Sequence, residues 1–446
     1  MPTLTERLAA RVLRPVDPAL RARAAHHVLD WLGCAAGALR DPLASGLRGL
    51  AQEAGEGPCS LLGIGTRDAD AALLWHGALG NVLEMDDVHR AAILHPGPIV
   101  VPAALAAAQV RDADAGAFLD AVVRGYEATI RVGRALGPSH YRFWHTTSTA
   151  GAFGAAAAAG SILGLEAEAL ADAFGNAGIR AGALWQVRHE PVPTKSLANA
   201  EAARTGFQAA RFAARGLRGP RQVLEGPQGL FAATAPIADA GGIDTDEAGW
   251  LIDAVSFKPW PACRHAHPAI DALRRALPGP LPAEAIARIE IATYDDALRF
   301  CDKPSPRTEA EAKFSLQHCA ALVVLHGAPW LEHFRPEALD AEPLPTLRAR
   351  VRAAGHAGIS ARFPAHYGAR VRVLLRDGNL LEAGADDAWG DPEWPLDEAD
   401  LVAKARALMA WGGVPDAAAA RLVDAALALA GGGALAAFAG ALREAA

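Results

Sequence analysis

The run Thr149 to Leu165, TAGAFGAAAAAGSILGL, decides the fold class. Alanine loses no side-chain entropy in a helix, and small side chains let a second helix backbone come close. A helix of this kind is stabilised by neighbouring helices, so the run predicts a helix-on-helix core. It also falls short of the roughly 18 to 20 uncharged apolar residues that a membrane span needs.

Working outward, the chain of 446 residues is 51% hydrophobic, 21% charged and 6% aromatic, with a formal net charge of -7. That apolar share is ample for buried cores and excludes disorder, and the length suggests about two or three domains. Mild acidity provides no general attraction to nucleic acid or an anionic membrane, so neither is an expected partner. The start, MPTLTERLAARVLRP, has an early glutamate and no apolar core, unlike a secretory signal; a cytoplasmic location is expected. Cys34, Cys59, Cys263, Cys301 and Cys319 are scattered without a CxxC pair, which suggests neither a disulfide framework nor a zinc knuckle.

Asp17-Pro18 and Asp41-Pro42 each place an N-cap acceptor before a proline at the first helical position, predicting helices over about 18–39 and 42–54. Further helical patterns cover about 69–84, 98–110, 115–136, 148–164, 166–184 and 199–215. After about residue 260 the character changes. ARIEIATY (287–294) alternates with period two, and ARVRVLLRDGNLLE (369–382) holds Asp377-Gly378 between two strand-like runs, a strong hairpin signal. Helices are expected at 268–276 and 310–326, and Ala/Leu helices return from about 395. The expected architecture is mainly α: a large all-helical domain, 1–260 plus 396–446, carrying an inserted smaller α+β lid domain, 261–395.

Four places interrupt this apolar chain with chemistry. The first is Glu84-Met85-Asp86-Asp87-Val88-His89 followed by His95-Pro96-Gly97, which offers acids, bases and ligands in about a dozen residues, although such clusters are commonly solvated helix caps. The second is Tyr141-Arg142-Phe143-Trp144-His145-Thr146-Thr147-Ser148, which can cap the Gly/Ala helix or receive a carboxylate at its N-terminus. Third, Lys195 opens another Ala-rich helix. The fourth is Lys258-Pro259-Trp260-Pro261-Ala262-Cys263-Arg264-His265-Ala266-His267 at the expected domain boundary, where ligand sites are favoured. Two metal readings stay open on residue type: zinc at Cys263, His265 and His267, which lacks a second ligand pair at metal-site spacing, or a divalent ion for hydrolysis at Asp86, Asp87, His89 and His95. No P-loop or GxGxxG supports nucleotide chemistry.

The segments MDDVHRAAILHPGPIVVPAALAAAQ, FLDAVVRGYEATIRVG, FWHTTSTAGAFGAAAAAGSILGL, TKSLANAEAARTGFQAARFAARG, FKPWPACRHAHPAIDA and KFSLQHCAALVVLHG, in this order from about residue 20 to 330, resemble the MmgE/PrpD family. That family includes 2-methylcitrate dehydratase, cis-aconitate decarboxylase and iminodisuccinate epimerase. The resemblance implies a homodimer that works without cofactor or metal on a small di- or tricarboxylate bound between helical domain and lid. It implies catalytic roles for Asp86, Asp87, His95, His145, Lys195 and Lys258, with Arg142, Lys195, Lys258, Cys263, Arg264 and His318 contacting substrate.

The implied reaction removes a proton next to a carboxylate, which requires cations to stabilise the aci-carboxylate. A dehydratase-type lyase is the first reading; an epimerase of an iminodisuccinate-like dicarboxylate and an inactive carboxylate-binding homologue are the alternatives. Three departures from the family pattern, Cys263 for histidine, His318 for tyrosine and Val88 for threonine, lean away from decarboxylation.

Overall fold

The computed structural model describes residues 1–190, 192–246 and 249–445. The chain is mainly helical and divides into two compact units, Met1–Val255 with Asp397–Ala446, and Ser256–Leu396.

The first unit contains helices α1 (Leu4–Val12), α2 (Leu20–Gly37), α3 (Pro42–Glu53), α4 (Ala69–Leu79), α5 (Gly97–Arg111), α6 (Ala115–Tyr141), α7 (Thr146–Ile162), α8 (Ala167–Gly178) and α9 (Thr194–Ala213). Its C-terminal segment adds α10 (Glu398–Trp411), α11 (Asp416–Ala428) and α12 (Leu435–Arg443), and a small antiparallel hairpin joins β1 (Cys59–Leu61) to β2 (Gly65–Arg67). Aspartates start several helices: Asp41, Asp68, Asp114 and Asp397 each accept a backbone N–H of the first turn. α7 is the hub, buried at every position from Thr146 to Gly160 and packed by α5, α6, α8 and α9. Small residues bring the backbones together here: a Cβ added at Gly206 of α9 would lie 2.3 Å from the Ala152 carbonyl oxygen of α7. α10 meets α2 similarly, with Gly33 against the Ala405 backbone.

Several boundaries differ from the sequence expectation. Pro18 sits in a turn and α2 begins at Leu20. α4 stops at Leu79 rather than near 84, because the chain turns at Gly80 and Glu84 takes a left-handed conformation (φ 58°). α6 runs past 136 with a kink at Gly137-Pro138, where Gly137 has φ 63°. α8 ends at Gly178 rather than near 184, and α9 begins at Thr194, which puts Lys195 in its first turn.

The second unit is built on a four-stranded sheet in the order β4-β3-β5-β6, where β3 is Ile286–Thr293, β4 Val351–Gly355, β5 Ala369–Leu375 and β6 Leu380–Ala385. β3 and β4 are parallel; the other pairs are antiparallel. The Asp377-Gly378 turn joins β5 to β6, with Gly378 at φ 92°. Helices His267–Ala276 and Leu316–His326 share an apolar core with the sheet, including Ile270, Leu273, Leu322, Ile289 and Val371. The single helix expected over 310–326 is divided, because the Ser315 hydroxyl caps a new helix by accepting the His318 N–H at 3.0 Å.

Candidate active site

In the first unit the loop between α4 and α5 carries the acidic segment, and buried hydrogen bonds hold it from three sides. Asp87 Oδ2 accepts from Tyr126 Oη at 2.6 Å and meets His27 Nδ1 at 2.7 Å, while Oδ1 accepts the Gly97 N–H at 3.0 Å. Burial nevertheless pushes Asp87 up to about 6, since desolvation and the neighbouring Asp86 outweigh these donors. Asp86 Oδ2 accepts from Asn81 Nδ2 at 2.8 Å and meets His95 Nδ1 at 3.1 Å. His95 Nδ1 is also 2.9 Å from the Asp87 carbonyl oxygen, which can only accept, so Nδ1 carries the proton. On the third side, Lys404 of α10 donates to the Met85 carbonyl oxygen at 2.6 Å and to Asp30 Oδ1 at 2.5 Å.

His95 and His145 are joined through the first turn of α7, where Thr147 Oγ1 accepts the His95 N–H at 3.1 Å. His145 is 2% exposed and precedes α7; its Nδ1 lies 2.8 Å from Ser148 Oγ, which donates to Asn199 Oδ1 at 3.2 Å. Burial, followed by the neighbouring Lys195 and His95, holds its pKa well below the ordinary histidine value, so the ring is neutral at pH 7. Lys195 is ion-paired with Glu84, whose left-handed backbone turns its carboxylate to the lysine. His95, His145, Lys195 and the Asp86/Asp87 pair thus converge at one end of α7. Arg142 does not join them: it is exposed, with its guanidinium 5.0 Å from the Phe143 ring centroid.

In the second unit Lys258 is 1% exposed on the segment before helix His267–Ala276. Arg264 is buried and bonded to Asp391, which also accepts from Ser256 Oγ at 2.6 Å and the Ala388 N–H at 3.0 Å. The Cys263 thiol is a hydrogen-bond partner of Cys301, which burial pushes well above the ordinary thiol value. His318, expected among the substrate contacts, is instead used for packing. Its Nε2 donates to the His333 carbonyl oxygen at 3.1 Å and its Nδ1 accepts from Arg348 at 3.2 Å, while burial lowers it to about 4. A ring with both nitrogens committed has none left for a ligand.

Neither metal reading gains a donor set. Among the described residues, the grouping with three ligand atoms within 4.8 Å of one another is His366, Asp387 and Glu393, which includes no residue of either set. The expected ligands are used otherwise: His89 Nδ1 accepts the Ala92 N–H, His265 Nδ1 meets Tyr294 Oη at 2.7 Å and His267 Nε2 donates to the Ala262 carbonyl oxygen. A cavity of about 450 Å³ in the second unit, lined by Arg275, Arg370, Asp386, Asp387, Glu393 and Trp394, contains none of the candidate acid–base groups. Its charges are already paired in part, Arg370 with Asp386 at 2.6 Å.

The site also contains residues that the sequence reading missed: His27, Asn81, Tyr126, Asn199 and Lys404. Each is an ordinary-looking polar residue among apolar neighbours, and only its burial marks it.

Residues 4–241 match the MmgE/PrpD N-terminal domain and residues 260–429 the MmgE/PrpD C-terminal domain; the chain belongs to the MmgE/PrpD family. It is 27% identical over 405 residues to a cis-aconitate decarboxylase-like protein of Aspergillus oryzae, covering 83% of each chain. It is 29% identical to the cis-aconitate decarboxylase of Mus musculus and 30% identical to that of Homo sapiens, covering 59% of this chain but only 55% and 56% of theirs.

Proposed function

We propose that the protein is a cofactor-independent lyase acting on a small di- or tricarboxylate by proton abstraction next to a carboxylate. Family membership supports a lyase-type enzyme. The observation that carries the reading is the neutral, buried His145 beside His95, Lys195 and two carboxylates at one end of α7. A neutral imidazole can take the α-proton, and a lysine can hold the substrate carboxylate whose charge grows as the proton leaves. In dehydration the C–H electron pair becomes the new C=C bond and the β C–O bond breaks. The leaving hydroxyl takes its proton from Nε2 of the second histidine, His95, whose Nδ1–H stays with Asp86 and the Asp87 carbonyl.

In this reading Lys258 and Arg264 of the second unit are further carboxylate anchors. Cys263 contributes a thiol beside Cys301 rather than an imidazole, which favours dehydration or epimerisation over the decarboxylation for which the mouse and human relatives are named. The five cysteines are buried and form no disulfide among the described residues, in keeping with a cytoplasmic enzyme. A homodimer is part of the proposal: Phe143, Leu184 and Ile237 are exposed apolar side chains on segments that bond to one another or to the end of α6.

The test is proton exchange in deuterated water, followed by NMR, with citrate, 2-methylcitrate, cis-aconitate and a panel of dicarboxylates. The expected result is exchange or turnover of at least one acid that His145→Ala reduces at least about 100-fold. Full exchange by His145→Ala would overturn the assignment.

A further inference from the structure

The base role of His145 requires one particular ring nitrogen to be free, and two side chains next to it decide which. We infer that Ser148 and Asn199 are positioning residues that fix the tautomer of His145 with the proton on Nδ1 and the lone pair on Nε2. The inference rests on the proposed acid–base role and deepens it.

The argument is a count of protons. Ser148 has one hydroxyl proton and it lies between two partners, His145 Nδ1 at 2.8 Å and Asn199 Oδ1 at 3.2 Å. A carbonyl oxygen can only accept, so the hydroxyl proton goes to Asn199 and the serine oxygen turns its lone pairs to the imidazole. Nδ1 must then be the donor. The ring is neutral because of its burial, so it has only one proton and Nε2 is left as an acceptor. All three residues are essentially inaccessible, and no bulk water is present to exchange partners or reorient the hydroxyl.

The orientation of the amide completes the argument. With Oδ1 on the serine, Asn199 Nδ2 is a buried donor without a hydrogen-bond partner among the described residues. Asn199 follows Lys195 by four positions on α9, so both lie on one face of that helix. A spare N–H donor on the face that carries the lysine suits an anionic ligand. The reverse amide orientation would leave a carbonyl oxygen there, repelling a carboxylate, and would send the serine proton to Nδ1. The pair thus sets both which nitrogen abstracts the proton and which group greets the substrate. His145 becomes the base and His95 the acid, an assignment that residue type alone leaves open.

The experiment is side-chain ¹⁵N NMR of the full chain labelled with ¹⁵N-histidine, with His145 assigned by comparison with His145→Asn. At pH 7 the expected wild-type spectrum has a protonated Nδ1 and an unprotonated Nε2 for His145. Asn199→Leu removes the acceptor, frees the serine proton and moves the proton on the ring to Nε2, whereas Asn199→Asp keeps an acceptor and keeps the wild-type tautomer. A wild-type spectrum with Nε2 protonated overturns the inference, as does an unchanged tautomer in Asn199→Leu. With whichever acid the wild type turns over, Asn199→Leu loses about 10-fold to 100-fold in kcat, and Asn199→Asp recovers the acidic limb of the pH profile. The spectrum depends only on the tautomer and the kinetics only on the acid–base role, so failure of either reading is seen separately.

Discussion

Replacing Gly206 by alanine tests whether the contact of α7 with α9 has any slack. The new Cβ would sit 2.3 Å from the Ala152 carbonyl oxygen, 2.5 Å from the Ala155 Cβ and 2.6 Å from the Ala156 nitrogen, all belonging to α7. Backbone atoms cannot rotate away as a side-chain tip can, and relief requires the helices to separate by roughly 1 Å. A gap of that size forfeits about a quarter to a half of each dispersion contact along a wholly buried face. Overpacking of this type costs about 3 kcal/mol, equivalent to a fall of roughly 6 °C in melting temperature at about 2 °C per kcal/mol for a large domain. The same separation stretches the Ser148–Asn199 hydrogen bond, already 3.2 Å, beyond useful range, so activity falls with stability. Differential scanning calorimetry of Gly206→Ala and Gly46→Ala provides the check. Gly46 is an exposed position inside α3 where nothing lies within 4 Å of an added Cβ, so alanine there stabilises by up to about 1 kcal/mol. A melting temperature for Gly206→Ala within about 1 °C of wild type would refute the reasoning.

Lys404→Met leaves the Asp30 carboxylate buried without its partner and the Met85 carbonyl oxygen without its donor, an expected loss of about 3 to 5 kcal/mol in a chemical melt. The double variant with Asp30→Asn recovers most of that loss; recovery of none would show that the charge pair is not the cause. Stability falls on acidification from pH 6.5 to 5. Buried histidines such as His76 and His89, each lowered to about 3 by desolvation, take up protons only when unfolded and each lose about 2 kcal/mol by pH 5. Asp30, Asp87 and Asp271, raised by burial to about 6, act in the opposite sense and return only about 1 kcal/mol each in that window. Seven histidines among the described residues, including His27, His140, His145, His318 and His333, are lowered in this way, so the histidine side wins; an equal or higher melting temperature at pH 5 would contradict this.

What was legible in the sequence follows from the range of the interaction involved. Helix periodicity and the Asp377-Gly378 turn are local, and α3, α5, α7 and the β5–β6 hairpin lie close to where those signals place them. α4 was read too long because LGNVLEM continues an apolar pattern, while the real stop is a backbone reversal at Glu84. α9 was read too short because Pro193 supplies no side-chain cap to announce its start. β4 was invisible, a five-residue VRAAG whose strand identity comes from parallel pairing with distant β3. Of the groups that converge at one end of α7, His95, His145, Asp86 and Asp87 were legible as polar groups crowded into short segments, and Lys195 as a lone lysine opening an Ala-rich helix. His27, Tyr126, Asn199 and Lys404 act across separations of 60, 39, 51 and 319 residues, and nothing local distinguishes them. His318 shows the opposite case, a motif position whose ring is committed to Arg348 and His333.

The bond from Lys404 to the Met85 carbonyl oxygen has a consequence for the newly made chain. Its two ends are 319 residues apart, with the whole second unit encoded between them. At about 5 to 20 residues per second, the acidic loop leaves the ribosome roughly 15 to 60 seconds before the lysine that anchors it. The first unit therefore waits, with the α2 surface destined for α10 uncovered and Asp30 uncompensated, while the second unit is synthesised. A nascent chain interrupted anywhere before residue 404 is left with a helical body that exposes apolar surface, a natural client for chaperones and proteases. The helix that follows the second unit acts as a completion signal: only a chain translated past residue 404 can lock the loop that carries Asp86 and Asp87.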